Sequence, residues 1–217
     1  MGMVCRGTPG WVFFLSVVTA SPILSPSFTI NFTETFQNYP GAVPTSGAWF
    51  YNYPERLWRA DHNEPNSNNF CGCAKDTNAS CSLIFSGTGT SRAGLYVDFP
   101  SFPEACCFLC SDSDGCSPLI PTWLSGANFT RVDDDGCWEY CEAGAVAEDC
   151  MSFPPSGAMP PCKYMESISA GGGSIIYHNL TFNASTYVPG PPKASVFELR
   201  PECSKNCPNP FPAKCGR

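Results

Sequence analysis

The sequence predicts a mostly antiparallel β-protein that is rich in disulfides. Strand patterns recur along the chain, whereas no stretch of ten or more residues keeps a helical apolar period without an interrupting Gly, Pro or Cys. The 217 residues include 15 Cys, 22 Pro and 19 Gly. Only 14% of residues are charged and 43% are hydrophobic, which is too apolar for a disordered chain. A chain of this length buries a substantial core, so disulfides add to that core and do not replace it.

The individual strands follow from local alternation and from the turn residues between them. Residues 28–36 alternate apolar and polar side chains, and residues 57–61 follow the strand at 48–53 closely enough to form a hairpin with it. A second hairpin is predicted around the glycine-rich turn 86–93. The predicted strands are residues 28–36, 48–53, 57–61, 82–85, 94–99, 137–141, 174–178, 180–183 and 195–199.

The segments between these strands predict connections within one domain. They are a disulfide-held loop at 103–121, a helical turn leading into a strand at 121–129, and rigid proline-rich connections at 153–162 and 188–192. Neither proline-rich piece has the charge bias of an interdomain linker. We therefore expect a single domain over residues 21–203 and a disulfide-tied tail over residues 204–217.

The first residues and the sequons predict export from the cell. Arg6, an apolar run at 11–20, and small side chains at Val18 and Ala20 are typical of a secretory signal peptide spanning residues 1–20; the alternative is a buried N-terminal strand. The run is too short to span a bilayer, and no second apolar span follows, so we expect a secreted, extracellular protein. Surface glycosylation is predicted at the asparagines of five N-x-[ST] sequons: Asn31, Asn78, Asn128, Asn179 and Asn183.

The cysteines predict disulfides and not a metal centre. Removal of Cys5 with the signal peptide leaves an even number, and several spacings also suit zinc, but zinc needs the reduced thiols that an oxidising compartment removes. Cys106 and Cys107 are adjacent and point in different directions, so we expect them to bind different partners. The sequence does not fix the pairing of the 14 cysteines: Cys71, Cys73, Cys81, Cys106, Cys107, Cys110, Cys116, Cys137, Cys141, Cys150, Cys162, Cys203, Cys207 and Cys215.

The charges and the histidines argue against nucleic-acid binding and against catalysis. The net charge is −7 and no basic run is present, so the sequence lacks the electrostatic pattern of a nucleic-acid-binding protein. The two histidines, His62 and His178, stand in no recognisable catalytic motif, and we interpret both as surface or core residues. We therefore predict that the protein is not an enzyme.

Two short acidic clusters are candidate calcium ligands. Asp112 and Asp114 form one cluster, and Asp133 and Asp135 belong to the other. Such clusters offer the hard oxygen ligands that Ca²⁺ accepts, although neither has the twelve-residue loop with a terminal Glu. The alternative is a pair of solvated turns.

The order of several motifs resembles the ependymin-related proteins, a family of secreted glycoproteins. Residues 47–53 (GAWFYNY) and 56–59 (RLWR) are similar to the family's first hairpin. Trp138 and Gly144 are similar to residues of its central strand. The resemblance spans about residues 47–203, and this chain has more cysteines than the family pattern. Further matching segments are 116–129, Cys162, 179–182, 187–192, 196–197 and 201–203.

The resemblance implies a curved antiparallel sheet, a half-barrel of the LolA-like type, with a hydrophobic pocket, a homodimer and calcium binding. Aromatic residues recur on separate predicted strands, where they line either such a pocket or a filled core. We expect a non-catalytic protein that binds a hydrophobic or lipid-like ligand; the alternative is an extracellular adhesion, matrix or carbohydrate-contact protein with a filled core. The predicted pocket residues are Trp49, Tyr51, Tyr53, Trp58, Tyr96, Trp123 and Trp138.

Overall fold

Eleven strands form one antiparallel sheet in the computed structural model, which describes residues 21–74, 78–87, 92–143, 147–169 and 175–208. The predicted signal peptide therefore lies outside the described residues. The one α-helix of this part of the chain, α1, spans Asn69–Ala74, and six short 3₁₀ helices accompany it. The strands are β1 Ser27–Gln37, β2 Thr45–Asn52, β3 Leu57–His62, β4 Cys81–Ser86, β5 Gly94–Asp98, β6 Cys107–Ser111, β7 Asn128–Val132, β8 Trp138–Ala143, β9 Ala147–Phe153, β10 Lys163–Ser169 and β11 Ile175–Pro189.

The sheet is open, and its strand order is β6-β5-β4-β3-β2-β1-β11-β10-β9-β8-β7. Every neighbouring pair is antiparallel, and β1 pairs with β11 at the centre of the sheet. The two edge strands, β6 and β7, follow one another in sequence, so the chain between them runs from one edge to the other. The predicted fold class is confirmed: the chain is mainly β and antiparallel, with short helical turns and several disulfides.

The sheet curves so that distant strands share one face. Trp49 on β2 and Tyr164 on β10 are three strand spacings apart, about 14 Å in a flat sheet. Their ring centroids lie only 6.3 Å apart. The concave face therefore carries the main core, whose largest fully buried side chains include Phe28, Ile30, Tyr51, Met151 and Phe153.

The segment between β6 and β7 covers part of this concave face. The Tyr51 hydroxyl donates to the carbonyl of Leu119, and the Leu24 amide donates to the carbonyl of Pro121 over 3.0 Å. Leu124 of this segment is buried in the main core. The predicted helical turn is confirmed as a 3₁₀ helix over Trp123–Gly126, followed by β7.

Several strand predictions were wrong or incomplete. The predicted loop 103–121 contains β6, because the side chains of its CFLC stretch are buried. The predicted strand 195–199 is instead a 3₁₀ helix, Ala194–Phe197, which packs on β3 and β4, and Arg59 donates to the carbonyl of Val196. The predicted strands 174–178 and 180–183 belong to one long strand, β11, while β9 and β10 were not predicted.

Six disulfides join cysteines of the described residues. Cys106 and Cys107 bind different partners, as predicted, because their side chains leave opposite faces of the sheet. The side chain of Cys73 and the whole of Cys215 lie outside the described residues. The pairs are Cys71–Cys81, Cys106–Cys203, Cys107–Cys207, Cys110–Cys116, Cys137–Cys162 and Cys141–Cys150.

The surface agrees with parts of the export prediction. Asn31, Asn78, Asn128 and Asn183 are exposed, and Asn179 is half-buried. The number of disulfides is consistent with an oxidising, extracellular environment. Among the described helices, none has the length and apolar character needed to cross a bilayer. Secretion and glycosylation themselves stay predictions.

Candidate functional site

A pocket of about 290 Å³ lies on the concave face, between the sheet and two covering segments. Its floor comes from β2 to β5 and from β9 to β11, and its cover from residues 115–119 and from Asn68 and Phe70 at α1. Most of the wall is apolar, while a group of polar side chains gathers along one side. The apolar part includes Trp49, Trp58, Ala60, Leu83, Leu95, Leu119 and Leu180, and the polar part His62, Asn68, Asp149, Tyr164, Glu166 and His178.

Glu34 organises the polar side of the pocket from beneath. Its carboxylate has no exposed surface, and it accepts hydrogen bonds from both histidines of the chain. The His62 Nδ1 atom lies 2.8 Å from Oε2, and the His178 Nε2 atom lies 2.6 Å from Oε1. The Asn68 amide donates to Oε1 over 2.9 Å. Three donors from separate parts of the chain therefore hold one buried carboxylate.

The alternation of the strands explains why these groups meet. Glu34 follows Phe28, Ile30 and Phe32 at the inward positions of β1, and His178 occupies an inward position of β11. His62 lies on β3 and must reach Glu34 across β2. Gly47 of β2 stands between Phe32 and His62 in the register, and a side chain there would collide with the Phe32 ring and the Asp61 carbonyl.

The electrostatics of the cluster favour ionised partners. Burial alone would raise the pKa of Glu34, but the charge of His62 and the hydrogen bonds of both histidines hold this pKa well below its usual range. Burial alone would lower the pKa of His178, but its hydrogen bonds to Glu166 and Glu34 and their charges raise it to about 9. His178 is therefore an imidazolium at neutral pH, between the carboxylates of Glu34 and Glu166.

The pair formed by Asp149 and Tyr164 extends the polar side toward β9. The Tyr164 hydroxyl donates to Oδ1 of Asp149 over 2.8 Å. Burial raises the pKa of Asp149. The hydrogen bond from Tyr164 lowers this pKa, while the charge of the neighbouring Glu166 raises it further. Burial also raises the pKa of Tyr164 well above its usual value, so this hydroxyl keeps its proton and stays a donor.

Two buried nitrogen atoms on pocket-lining side chains lack a partner among the described residues. They are Nε2 of His62 and Nε1 of Trp49. His62 uses Nδ1 for Glu34, an arrangement that leaves Nε2 free to accept or donate a proton. No described hydroxyl or thiol bonds to this Nε2.

The seven predicted pocket residues occupy different places. Trp49 and Trp58 line the pocket. The other five do not line it: Tyr51, Tyr53, Trp123 and Trp138 pack in or against the main core, and Tyr96 packs with Phe108 and Cys203 in a separate cluster.

The four predicted calcium ligands are occupied by protein donors. Asp112 pairs with Arg56 at 2.6 Å, and Asp114 accepts from the amide and hydroxyl of Ser111. Lys163 pairs with Asp133 at 3.7 Å and with Asp135 at 2.5 Å. Calcium binding stays a prediction.

Two other candidate ligand groups of the described residues each contain both cysteines of one disulfide, so their thiolates are not available: Asp98 with Cys106 and Cys203, and Glu139 with Cys141 and Cys150.

The sequence interpretation missed the cluster around Glu34. Its one local signal was a carboxylate at an inward position of an otherwise apolar strand face, after Phe28, Ile30 and Phe32. A charge at such a position needs buried partners. Both histidines are buried, which agrees with the interpretation of His62 and His178 as surface or core residues. That interpretation did not anticipate that the two share the carboxylate of Glu34.

Comparisons with known proteins add no family and no function. No protein-family model and no curated protein matches the sequence. Among solved structures, a similar chain is described as an uncharacterized conserved protein from Thermus thermophilus, with 8% identity and a TM-score of 0.46. The match covers 84% of this chain and 91% of that chain. A likeness of this strength carries no argument, and the resemblance to ependymin-related proteins stays a prediction.

Proposed function

We propose that this chain is an extracellular binding protein that holds a small hydrophobic molecule with one polar end in the concave pocket. The observation that carries the proposal is the division of the pocket into an apolar wall, which includes Trp49, Trp58 and Leu180, and a polar side around His62 and His178. An apolar pocket with a few convergent polar groups is the usual form of a small-molecule site. The disulfides fit an extracellular location for such a protein.

The size of the pocket guides the choice of a probe ligand. A volume of about 290 Å³ is close to the lower limit of about 300 Å³ for small-molecule pockets. A chain of eight carbons with one polar group is therefore a suitable probe. Burial of eight carbons at about 0.8 kcal/mol each gives about 6 kcal/mol, which corresponds to a Kd on the order of tens of micromolar.

Calorimetric titration with octan-1-ol tests the proposal. We expect one molecule to bind per chain with a negative heat-capacity change, which is the mark of apolar burial. Leu95→Phe narrows the pocket and should weaken binding at least tenfold, because Leu95 lines it. Val188→Phe is the matched control, since Val188 is 59% exposed. The absence of binding to the unmodified protein at millimolar octan-1-ol, or equal binding by both variants, contradicts the proposal.

A further inference from the structure

Trp49 and His62 both line the pocket, and each carries a buried nitrogen atom without a hydrogen-bond partner among the described residues. The indole N–H of Trp49 is a donor only, whereas Nε2 of His62 accepts a hydrogen bond when the ring is neutral and donates one when it is protonated. Both atoms are buried and lack a partner among the described residues. A buried polar atom without a hydrogen bond costs about 1–3 kcal/mol, so a ligand that supplies the missing partner gains affinity.

The register places these two side chains next to each other. Trp49 of β2 pairs with Ala60 of β3, and His62 lies two residues beyond Ala60 on the same face. Diagonal neighbours of this kind are about 7–8 Å apart at their backbones, within reach of large side chains. Both residues line the pocket. Two neighbouring residues of the pocket wall therefore each carry an unpaired nitrogen, one an indole donor and the other an imidazole nitrogen.

We propose that this Trp49–His62 edge selects a ligand hydroxyl. The inference rests on the proposed function and names the polar group of its ligand. A hydroxyl accepts from the Trp49 N–H through its oxygen and donates to His62 through its hydrogen. The hydroxyl still fits this edge when His62 is protonated, because the hydroxyl oxygen then accepts a hydrogen bond from Nε2 of His62. An alcohol is thus matched to this edge in either state of the imidazole.

The surrounding charges disfavour a carboxylate at the same place. Glu166 and Asp149 line the pocket, and Glu34 lies beneath His62 and His178. The His178 imidazolium is already paired with Glu34 at 2.6 Å and with Glu166 at 3.5 Å, so it offers no free positive charge to an anion. An ammonium group faces carboxylates that already have partners, because Asp149 accepts from Tyr164 and Glu166 is paired with His178. The ammonium also has no lone pair with which to accept from Trp49.

A matched series of head groups tests the inference at pH 7. Octan-1-ol, octan-1-amine and octanoic acid share the apolar chain and differ only in the polar end. We expect calorimetry to give a Kd for the alcohol roughly 3- to 10-fold below that of the amine and of the acid, the range expected for one hydrogen bond. A Kd for the acid or the amine equal to or below that of the alcohol overturns the inference and leaves the proposed function standing. If no member of the series binds, the proposed function fails as well.

Two substitutions separate the edge from the rest of the pocket. His62→Asn keeps a donor near the position of Nδ1 for Glu34 and removes Nε2, and Trp49→Phe keeps an aromatic wall and removes the N–H. Each should weaken octan-1-ol roughly 3- to 10-fold and reduce its advantage over the other head groups. Leu180→Ala is the control, because it should weaken all three ligands by the same factor. Unchanged alcohol affinity in folded His62→Asn and Trp49→Phe overturns the inference, and the wild-type ranking decides if either variant fails to fold.

Discussion

His178 should make the stability of this protein fall as the pH rises from about 6.5 to 9. Its ring is packed between Glu34 of β1 and Glu166 of β10, with His62 on the far side of Glu34 and Asp149 nearby on β9. These partners raise the pKa of His178 from 6.5 to about 9, although burial acts in the opposite direction. The folded state therefore keeps a proton that the unfolded chain releases in this interval.

The magnitude follows from that change in pKa. Each pKa unit corresponds to about 1.4 kcal/mol, so the difference between 6.5 and about 9 is worth about 3 kcal/mol of unfolding free energy. The contribution is fully present below pH 6.5, where both states are protonated, and it is lost as the pH approaches and passes 9. Glu34, whose pKa is lowered, affects stability at acidic pH. Its contribution to the unfolding free energy is present above about pH 4.5 and is lost as the pH falls further.

Urea unfolding with intact disulfides measures this effect. The chosen variant is His178→Gln, which keeps a donor for Glu34 and has no charge. The stability difference between the wild type and this variant should be about 3 kcal/mol larger at pH 6 than at pH 9.5. Subtracting the variant removes the titration of other groups. A difference that is the same at both pH values would refute the assignment of an imidazolium to His178.

Glu166→Gln provides a second test of the same reasoning. It removes one of the two carboxylates that face His178, while the hydrogen bond to Glu34 stays. The pH interval of the stability loss should then shift toward 6.5. An unchanged interval would mean that Glu34 alone sets the pKa.

Three further predictions concern the elements that build the site. Glu34→Gln should lower the unfolding free energy by about 3–5 kcal/mol, because it removes the buried charge that both histidines share, and thermal unfolding will measure this loss. Gly47→Ala should cost at least 1–3 kcal/mol by urea unfolding, since its Cβ would collide with the Phe32 ring. Tyr51→Phe should cost about 1–3 kcal/mol and increase amide hydrogen exchange around Leu119, because it removes the hydrogen bond to that carbonyl.

Matched substitutions distinguish these effects from general sensitivity. Glu202 is exposed, so Glu202→Gln should leave stability within about 0.5 kcal/mol. No atom lies near the position of a Cβ on Gly126, so Gly126→Ala should be tolerated. Tyr53 is half-buried and its ring stacks with that of Tyr51, so Tyr53→Phe is the control for Tyr51→Phe. Equal losses in a variant and its control would contradict the corresponding contact.

The strands were predictable where their signal is local. Residues 28–36 alternate apolar and polar side chains, and turn residues separate the strands of the two hairpins, β2–β3 and β4–β5. The structure confirms these strands. β6 was missed because its residues are buried on both faces and two of its five are cysteines, so it has no alternation. The predicted strand at 195–199 has strand-forming residues, but it packs on the outside of β3 and β4 and does not join the sheet.

The site was not predictable because its contacts are distant in sequence. Glu34 and His178 are 144 residues apart, and they meet only because β1 pairs with β11 at the centre of the sheet. Glu34 and His62 lie on strands that are not neighbours, so their contact depends on the register of two strand pairs and on Gly47 between them. A single sequence shows that Glu34 is a charged residue at an inward position of β1. It does not show which strands pair with β1 or in which register.

The disulfides explain how a pocket persists in a sheet that otherwise packs its concave face. Cys71–Cys81 ties α1 to the start of β4, and Cys110–Cys116 ties the start of the covering segment to β6. These two segments form the cover of the pocket. Each is fixed by a covalent bond to the strand below it, and Leu124 anchors the second segment in the main core. Because each covering segment is held by its disulfide, its position does not depend on contacts across the pocket, and the proposed ligand would occupy that space without displacing the fold.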